Sequence, residues 1–339
     1  MAPPPPASPA EVPTQATAAP PAPNTQTPES SSCPKCQTKA LVCDDNDHYA
    51  VTSYGSQKRP AEHAHLTKAN NAGDPHSYME AMARPDTIEW ELACENEKQA
   101  FKTLGVYEIM PHPDDHKVVR SKWVFCIKRG PDGTIQKYKA RVVAQGFTQI
   151  EGINYNETFT PVTKLTSLRA ILTIAAKRDL ELHQMDIKSA YLNGNLSNEI
   201  FMSPPPGFNI PDGMVLRLIK AVYGTKQGGH VWYEEISETL RDMGYTRTNT
   251  DHAVFTHGAG IALAIIALYV NDITMVTSNM ATIDRDKQAL CHAYEMTDLG
   301  ELSWILGMHI IRNCTTGSIS LSQEKYSQEI LAHFNKTDV

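Results

Sequence analysis

Ile261-Ala-Leu-Ala-Ile-Ile-Ala-Leu-Tyr-Val270 runs into Asn271-Asp272 and then into Ile273-Thr-Met-Val-Thr277. Two apolar runs flanking two polar residues read as a buried antiparallel hairpin with Asn271-Asp272 as its turn. A second short run, Leu182 to Ile187, carries Asp186 near its end. A carboxylate in an otherwise apolar strand is costly unless it is paired, hydrogen-bonded or coordinating a cation. If the two segments are neighbours in one sheet, Asp186 and Asp272 converge, and converging hard oxygens suit Mg²⁺ while leaving room for phosphates. Taken singly each has a plainer reading, Asn-Asp as a good turn and Asp186 as a strand cap.

Outward from these strands the periodicity alternates between helix and strand. Ile88, Leu92, Glu95 and Gln99, with Ala93 and Ala100 around Trp90, predict a helix with one apolar face. Val118 to Ile127 and Ile135 to Val143 read as two strands joined by the turn chemistry of Arg129-Gly-Pro-Asp-Gly133. Thr166 or Ser167 is placed to cap a helix through Leu168, Ile171, Leu172, Ala175 and Ala176. After a turn at Asn193-Gly194 and a polar, proline-rich loop, Trp232, Ile236, Leu240 and Met243 mark another helix, stopped by Gly244. A helix from Ile283 to Tyr294, a strand from Ser303 to Ile311, a hairpin at Thr315-Thr-Gly317 and a helix from Ser322 to Phe334 complete the chain. The mix is α+β, with helices expected on one face of an antiparallel sheet.

The 339 residues are 41% hydrophobic, enough for one large or two modest cores. The ten-residue run from Ile261 to Val270 is too short to cross a bilayer, which takes about 20 residues, so no membrane partner is expected. Met1 to Pro6 offers neither a basic n-region nor an apolar h-region, and the expected compartment is intracellular, in a cytoplasmic particle or the nucleus. Ten of the 22 prolines fall in the first 30 residues with only two charges, Glu11 and Glu29. Residues 1–75 are accordingly read as a disordered tail. Cys33, Cys36, Cys43 and His48 lie within it, and zinc is the minor reading because their spacing matches no trusted knuckle. Seven cysteines, odd in number and irregular in spacing, fit thiols better than a disulfide framework.

The net charge of −7 supplies no global field for a polyanion. Between His116 and Phe147, however, eight cations (Lys117, Arg120, Lys122, Lys128, Arg129, Lys137, Lys139, Arg141) face one acid, Asp132. A solvated ribbon with a basic face explains this as readily as a phosphate site does.

Seven ordered strings give the chain a family likeness over about residues 84–337. They are Lys122-Trp-Val-Phe125, Tyr138-Lys-Ala-Arg-Val-Val-Ala-Gln-Gly-Phe147, Glu157-Thr-Phe-Thr-Pro-Val162, Gln184-Met-Asp-Ile-Lys-Ser-Ala-Tyr-Leu-Asn-Gly194, Tyr223-Gly-Thr-Lys-Gln227, Tyr269-Val-Asn-Asp272 and Leu299-Gly-Glu-Leu302. With them the chain closely resembles the reverse transcriptase (RNA-directed DNA polymerase) domain of copia-type LTR retrotransposons, part of a Gag-Pol polyprotein. The resemblance implies a polymerase right hand: fingers over about residues 84–180, palm with a fingers insertion over 181–320, and the start of a thumb or connection over 321–339, the thumb being largely missing. It implies template-directed addition of dNTPs to a primer on RNA or DNA, with two Mg²⁺ (or Mn²⁺) ions. It also implies integrase and ribonuclease H as polyprotein partners, neither of which has room in this chain.

Carried over by position, Asp186 resembles the first metal-binding aspartate and Asp272 a second. Tyr191 resembles the aromatic residue that excludes a 2′-hydroxyl, and Gln227 the glutamine that touches the nucleotide. Lys139 and Arg141 are placed to meet the triphosphate, with the choice between them open. The departures are equally specific. The family's Tyr-Val-Asp-Asp box reads Tyr269-Val-Asn-Asp272, Thr225 replaces a leucine, and Gly228-Gly-His230 replaces Ala-Pro-Arg. A neutral Asn271 predicts impaired catalysis, and the glycines predict a loosened turn beside Gln227 with one cation fewer. Two readings follow: an impaired reverse transcriptase domain, and a non-catalytic retroelement remnant that at most binds nucleic acid.

Overall fold

The computed structural model describes residues 73–129 and 134–334. The proline-rich segment as far as residue 72, with Cys33, Cys36, Cys43 and His48, lies outside the described residues, as does the tip of the basic hairpin. The elements in order are α1 (Tyr78–Met82), α2 (Thr87–Thr103), β1 (Tyr107–Pro111), β2 (Ser121–Arg129), β3 (Ile135–Ala144), α3 (Leu165–Arg178) and β4 (Glu181–Ile187). A 3-10 turn (Ala190–Asn193) leads to β5 (Asn195–Met202), β6 (Met214–Lys220), α4 (Gly228–Asp242), β7 (Thr246–Arg247), β8 (Val254–His257), β9 (Ala264–Tyr269) and β10 (Asp272–Thr277). Then follow α5 (Met280–Ala293), β11 (Met296–Glu301), β12 (Trp304–Ile305), β13 (Met308–Asn313), β14 (Ser318–Ser322) and α6 (Glu324–His333). No helix among the described residues is long and apolar enough to cross a membrane.

The central sheet has the order β11-β4-β10-β9-β8-β7, antiparallel throughout. Period-two alternation in its inner strands buries both faces. Met185, Ile187, Ile266, Leu268, Ile273 and Met275 pack with Trp232, Ile236 and Leu240 of α4 and Leu290 of α5. Leu182, Ile265, Ala267 and Val276 point the other way, onto Leu168, Ile171, Leu172 and Ala175 of α3. The expectation of helices on one face is therefore corrected: α3 lies opposite α4 and α5. Strands apolar on both faces are the reason, since a one-sided sheet would alternate apolar with polar.

The remaining layer joins α1 and α2 to the β2–β3 ribbon and to the three-stranded sheet β1-β6-β5. On α2 the buried stripe is Trp90, Ala93, Cys94, Glu97 and Phe101. Ile88 and Leu92, expected in the core, are 73% and 64% exposed. Large aromatics decided the facing: Trp90 stands edge-on to Phe125 at 5.2 Å and to Tyr138 at 4.8 Å. Folded structure also starts ahead of residue 84, because Asp74 is buried and α1 precedes that point.

Three local expectations change. The helix cap foreseen at Thr166 or Ser167 falls inside α3, whose N-cap is Lys164. Its backbone N–H donates to Asp251 Oδ2 at 2.9 Å, a carboxylate supplied from far along the chain. The single strand from Ser303 to Ile311 is broken at Leu306-Gly307, both with positive φ, into β12 and β13. The polar loop after Gly194 contains β5 and β6, paired antiparallel. Gly244 does close α4 in the left-handed region, with φ of 88°. Cys94 and Cys314 are free thiols.

A two-stranded ribbon leaves two open edges, and buried carboxylates cover both. Asp74 Oδ1 accepts from Ile127 N–H at 3.0 Å, and Glu97 Oε1 accepts from Val142 N–H at 3.1 Å. Burial pushes the Glu97 carboxyl up to about 7, against the Val142 hydrogen bond and the charges of Arg141 and Lys139. Between the ordinary carboxyl range and that value the folded chain holds a proton that the unfolded chain has released, so stability falls as pH rises through this window. Glu97→Gln, which keeps an acceptor for Val142, is expected to remove most of the decline in urea midpoint between about pH 5 and about pH 8. A decline as steep as that of the parent chain contradicts this.

Candidate active site

Asp186 of β4 and Asp272 of β10 are directly opposed cross-strand partners in the central sheet. Because Met185, Ile187 and Ile273 turn into the α4–α5 core, the alternation displays both aspartates on the other face. At the far end of that face Leu182 and Val276 are covered by α3, whereas Asp186 and Asp272 are half-buried. Gln184 Nε2 donates to Asp272 Oδ1 over a long 3.4 Å. Like charges at directly opposed positions work against strand pairing.

The hairpin that brings Asp272 there differs from expectation. Asp272 pairs with Tyr269 and opens β10, which leaves Val270-Asn271 as the two-residue turn rather than Asn271-Asp272. Val270 has φ of 57°. A β-branched residue in the left-handed region costs about 1–3 kcal/mol and persists only where the surroundings impose it. Trp232 Nε1 donates to Val270 O at 2.9 Å, and Ile187 N–H donates to Asn271 O at 2.9 Å.

Asn271 Oδ1 is buried and accepts no hydrogen bond from any described residue. Buried amide oxygens are usually satisfied, so this atom points to a missing donor or a cation. Among the described residues no group of three or more His, Cys, Asp and Glu is placed to hold a metal. The available donors are two carboxylates with an amide oxygen beside them, all hard oxygens of the kind that divalent magnesium takes.

Tyr191, on the 3-10 turn just after β4, meets Tyr223 edge-on at 5.2 Å. The Arg141 guanidinium carbon lies 5.1 Å over the Tyr223 ring, and Ala144 N–H donates to Tyr223 O at 2.7 Å. Burial pushes the Tyr223 phenol far up, opposed by Arg141 and reinforced by Glu97, Tyr191 and Asp186. Tyr223 thus stays a neutral bridge from Arg141 to Tyr191. Lys139 lies two residues further along the ribbon, opposite Cys126. Lys122, Lys128, Lys137, Lys139 and Arg141 share the ribbon face opposite to its buried residues Trp123, Phe125, Ile127, Ala140 and Val142. Lys128 and Lys137 are direct cross-strand partners on that face.

Gln227 is only 3% exposed. Its Nε2 donates to Asn154 O at 2.8 Å, and its Oε1 accepts from Gln149 Nε2 at 3.1 Å. Gln149 Oε1 in turn accepts from Lys226 N–H at 2.8 Å. The structure therefore brings together Asp186, Asp272 and Asn271, links Tyr191 to Arg141 through Tyr223, and engages Gln227 in a separate amide chain. The turn beside Gln227 is tight, contrary to the loosening expected from its glycines. Thr225 Oγ1 donates to Val222 O at 2.7 Å, and a Cβ at Gly228 or Gly229 would lie 2.7 Å from Thr225 Oγ1 or 2.5 Å from Thr160 Oγ1. Sequence reasoning missed Tyr223, Gln149 and Trp232. For Trp232 a signal existed, since a core indole needs an acceptor for its N–H.

The profile of the family described as "Reverse transcriptase (RNA-dependent DNA polymerase)" matches residues 104–339. The chain is 37% identical over 265 residues to the retrovirus-related Pol polyprotein from transposon TNT 1-94 of Nicotiana tabacum, covering 77% of this chain and 20% of the relative. It is 32% identical over 285 residues to the corresponding polyprotein from transposon RE2 of Arabidopsis thaliana, covering 83% of this chain and 19% of the relative. It thus spans about a fifth of the length of these curated relatives. Among solved structures, a foamy viral protease-reverse transcriptase in complex with double-stranded DNA aligns at 13% identity over 72% of this chain and 47% of that one, with a TM-score of 0.37, too low to add to the argument. A family profile spanning most of the chain, with relatives matched over three-quarters of it or more, shows that the chain belongs to the reverse transcriptase family, as a segment of the copia-type retrotransposon Pol kind.

Proposed function

We propose that this segment is the fingers and palm of a retrotransposon polymerase that adds dNTPs to a primer 3′-hydroxyl opposite an RNA or DNA template. The observation that carries the reading is the cross-strand pairing of Asp186 with Asp272, with the unpartnered Oδ1 of Asn271 in the adjoining turn. Asp186, Asp272 and Asn271 Oδ1 would hold Mg²⁺ or Mn²⁺, which when bound supplies charge neutralisation for an in-line phosphoryl displacement. Arg141, leaning on Tyr223 toward Tyr191, is better placed than Lys139 to meet the triphosphate. Tyr191 would sit under the sugar and disfavour a 2′-hydroxyl. A nucleotide contact by Gln227 would require it to exchange its bonds to Gln149 and Asn154. The template–primer would lie along the basic ribbon face, and the rest of the Gag-Pol polyprotein would supply ribonuclease H and integrase.

With an amide at position 271 the site offers two formal negative charges, so it holds a second cation weakly and activates the primer hydroxyl poorly. This observation also favours the second reading, a remnant that binds nucleic acid without extending it. Primer extension on homopolymer RNA separates the two. Asn271→Asp, assayed with the downstream part of a relative supplied in trans, is expected to raise extension by about tenfold or more, equivalent to about 1.4 kcal/mol of barrier. A parent chain that already extends primers, at a rate this change does not improve, shows that the amide is tolerated.

Nucleic-acid binding through the ribbon is expected to weaken steeply with salt, because phosphate contacts release counterions. Lys139→Ala with Arg141→Ala should lower affinity for a hybrid duplex and flatten the slope of log affinity against log salt by about 1–2. A slope unaltered in the double variant places the duplex elsewhere.

A further inference from the structure

We propose that Trp232 is a positioning residue for this site: its indole N–H holds the Val270-Asn271 turn in the left-handed form that keeps Asn271 and Asp272 in register with Asp186. The inference rests on reading those three residues as a cation site. Three observations converge on Trp232. First, the ladder bond from Ile187 N–H to Asn271 O continues the β4–β10 pairing, whereas the bond from Trp232 Nε1 to Val270 O reaches the turn from outside the sheet. It lands on the one residue of the turn whose backbone is strained, Val270 at φ 57°. A sheet ladder fixes where the strands pair; a donor on the turn carbonyl fixes which way the turn folds.

Second, Trp232 is itself immobilised. It is 2% exposed and stands edge-on to Tyr294, the C-cap of α5, at 5.3 Å and 81°. Such a ring has little freedom to follow a moving turn, so the turn must follow the ring. Third, the helix that carries Trp232 also backs the turn that bears Tyr191. A Cβ at Gly194 would lie 2.8 Å from Trp232 N, so the turn carrying Tyr191 is pressed directly on the α4 backbone at this point. Gly194 N–H donates to Tyr191 O at 3.1 Å, which ties Tyr191 to that contact. The α4 backbone around Val231 and Trp232 therefore lies against the turn that bears Tyr191, while the Trp232 indole holds the turn that bears Asn271.

Trp232→Phe removes the N–H while keeping an aromatic ring in the core. In the full chain, amide hydrogen exchange at Ile187, whose N–H donates to Asn271 O, and at Asp272, which pairs with Tyr269, should accelerate about tenfold or more, with Leu290 and Ile236 little changed. The Mn²⁺ dissociation constant should rise about tenfold in parallel. Val270→Gly removes the conformational constraint, so in that background Trp232→Phe should accelerate the turn amides by less than about threefold. Exchange unchanged at the turn, or accelerated equally throughout the sheet, overturns the proposal. If Trp232→Phe does not fold, the indole N–H of the parent chain decides: exchange as slow as that of the Ile187 amide supports the bond, and exchange at the unprotected rate overturns it. Asp186→Asn separates the two levels of the argument. If it leaves Mn²⁺ affinity unchanged, the cation-site reading fails, while the exchange data still decide the role of Trp232.

Discussion

Two carboxylates at directly opposed positions of a sheet packed against apolar cores on both faces are the constraint around which this structure is arranged. Their mutual repulsion in half-buried surroundings works against the β4–β10 pairing, and that pairing is nonetheless retained. It is retained because the rest of the sheet over-determines it. α4 and α5 clamp one face through Trp232, Ile236, Leu240 and Leu290, and α3 clamps the other through Leu168, Ile171 and Leu172. Rigid packing on two sides fixes the register to the residue, and a slip of one residue would turn every apolar side chain to the wrong face. The carboxylates are held in opposition by hydrophobic burial elsewhere.

The same logic extends to the elements around the pair. The turn between β9 and β10 stores backbone strain at Val270, and the 3-10 turn after β4 opens from Ser189, another left-handed residue at φ 52°. Strain of this kind clusters where side chains must be aimed, and both turns flank Asp186 and Asp272. The basic ribbon shows a parallel arrangement. Its two edges are covered by buried carboxylates, Asp74 and Glu97, and its cations fall on one face by alternation alone. Acidic capping of the edges guards the strands against unwanted pairing.

Much of this was legible from residue order. The central strands announced themselves by mostly apolar runs, and the convergence of Asp186 and Asp272 followed once those runs were taken as neighbours. The family strings, seven blocks in order, pointed to the same family as the relatives do. What sequence reasoning missed has physical causes. Asn271-Asp272 looks like a hairpin turn by local preference, and only the cross-strand register moves the turn back onto Val270, where a β-branched residue is locally disfavoured. The face of α2 was misjudged because Trp90 and Phe101 outweigh Ile88 and Leu92 in buried area, a tertiary choice that spacing alone does not reveal. The cap of α3 comes from Asp251, and no local window contains both partners. The amide chain from Gln149 through Gln227 to Asn154 likewise joins residues that are distant in sequence.

The central claim, that Asp186, Asp272 and Asn271 form one cation site, is tested most directly by replacing magnesium with Fe²⁺ in the presence of ascorbate and peroxide and mapping where the backbone is cut. Hydroxyl radicals act only near the bound ion, so the account predicts cuts at the end of β4 around Asp186 and in the turn from Tyr269 to Asp272, suppressed by excess Mg²⁺ and lost in Asp186→Asn. Cuts confined to other parts of the chain, or cuts at these strands that Mg²⁺ does not suppress, would contradict it.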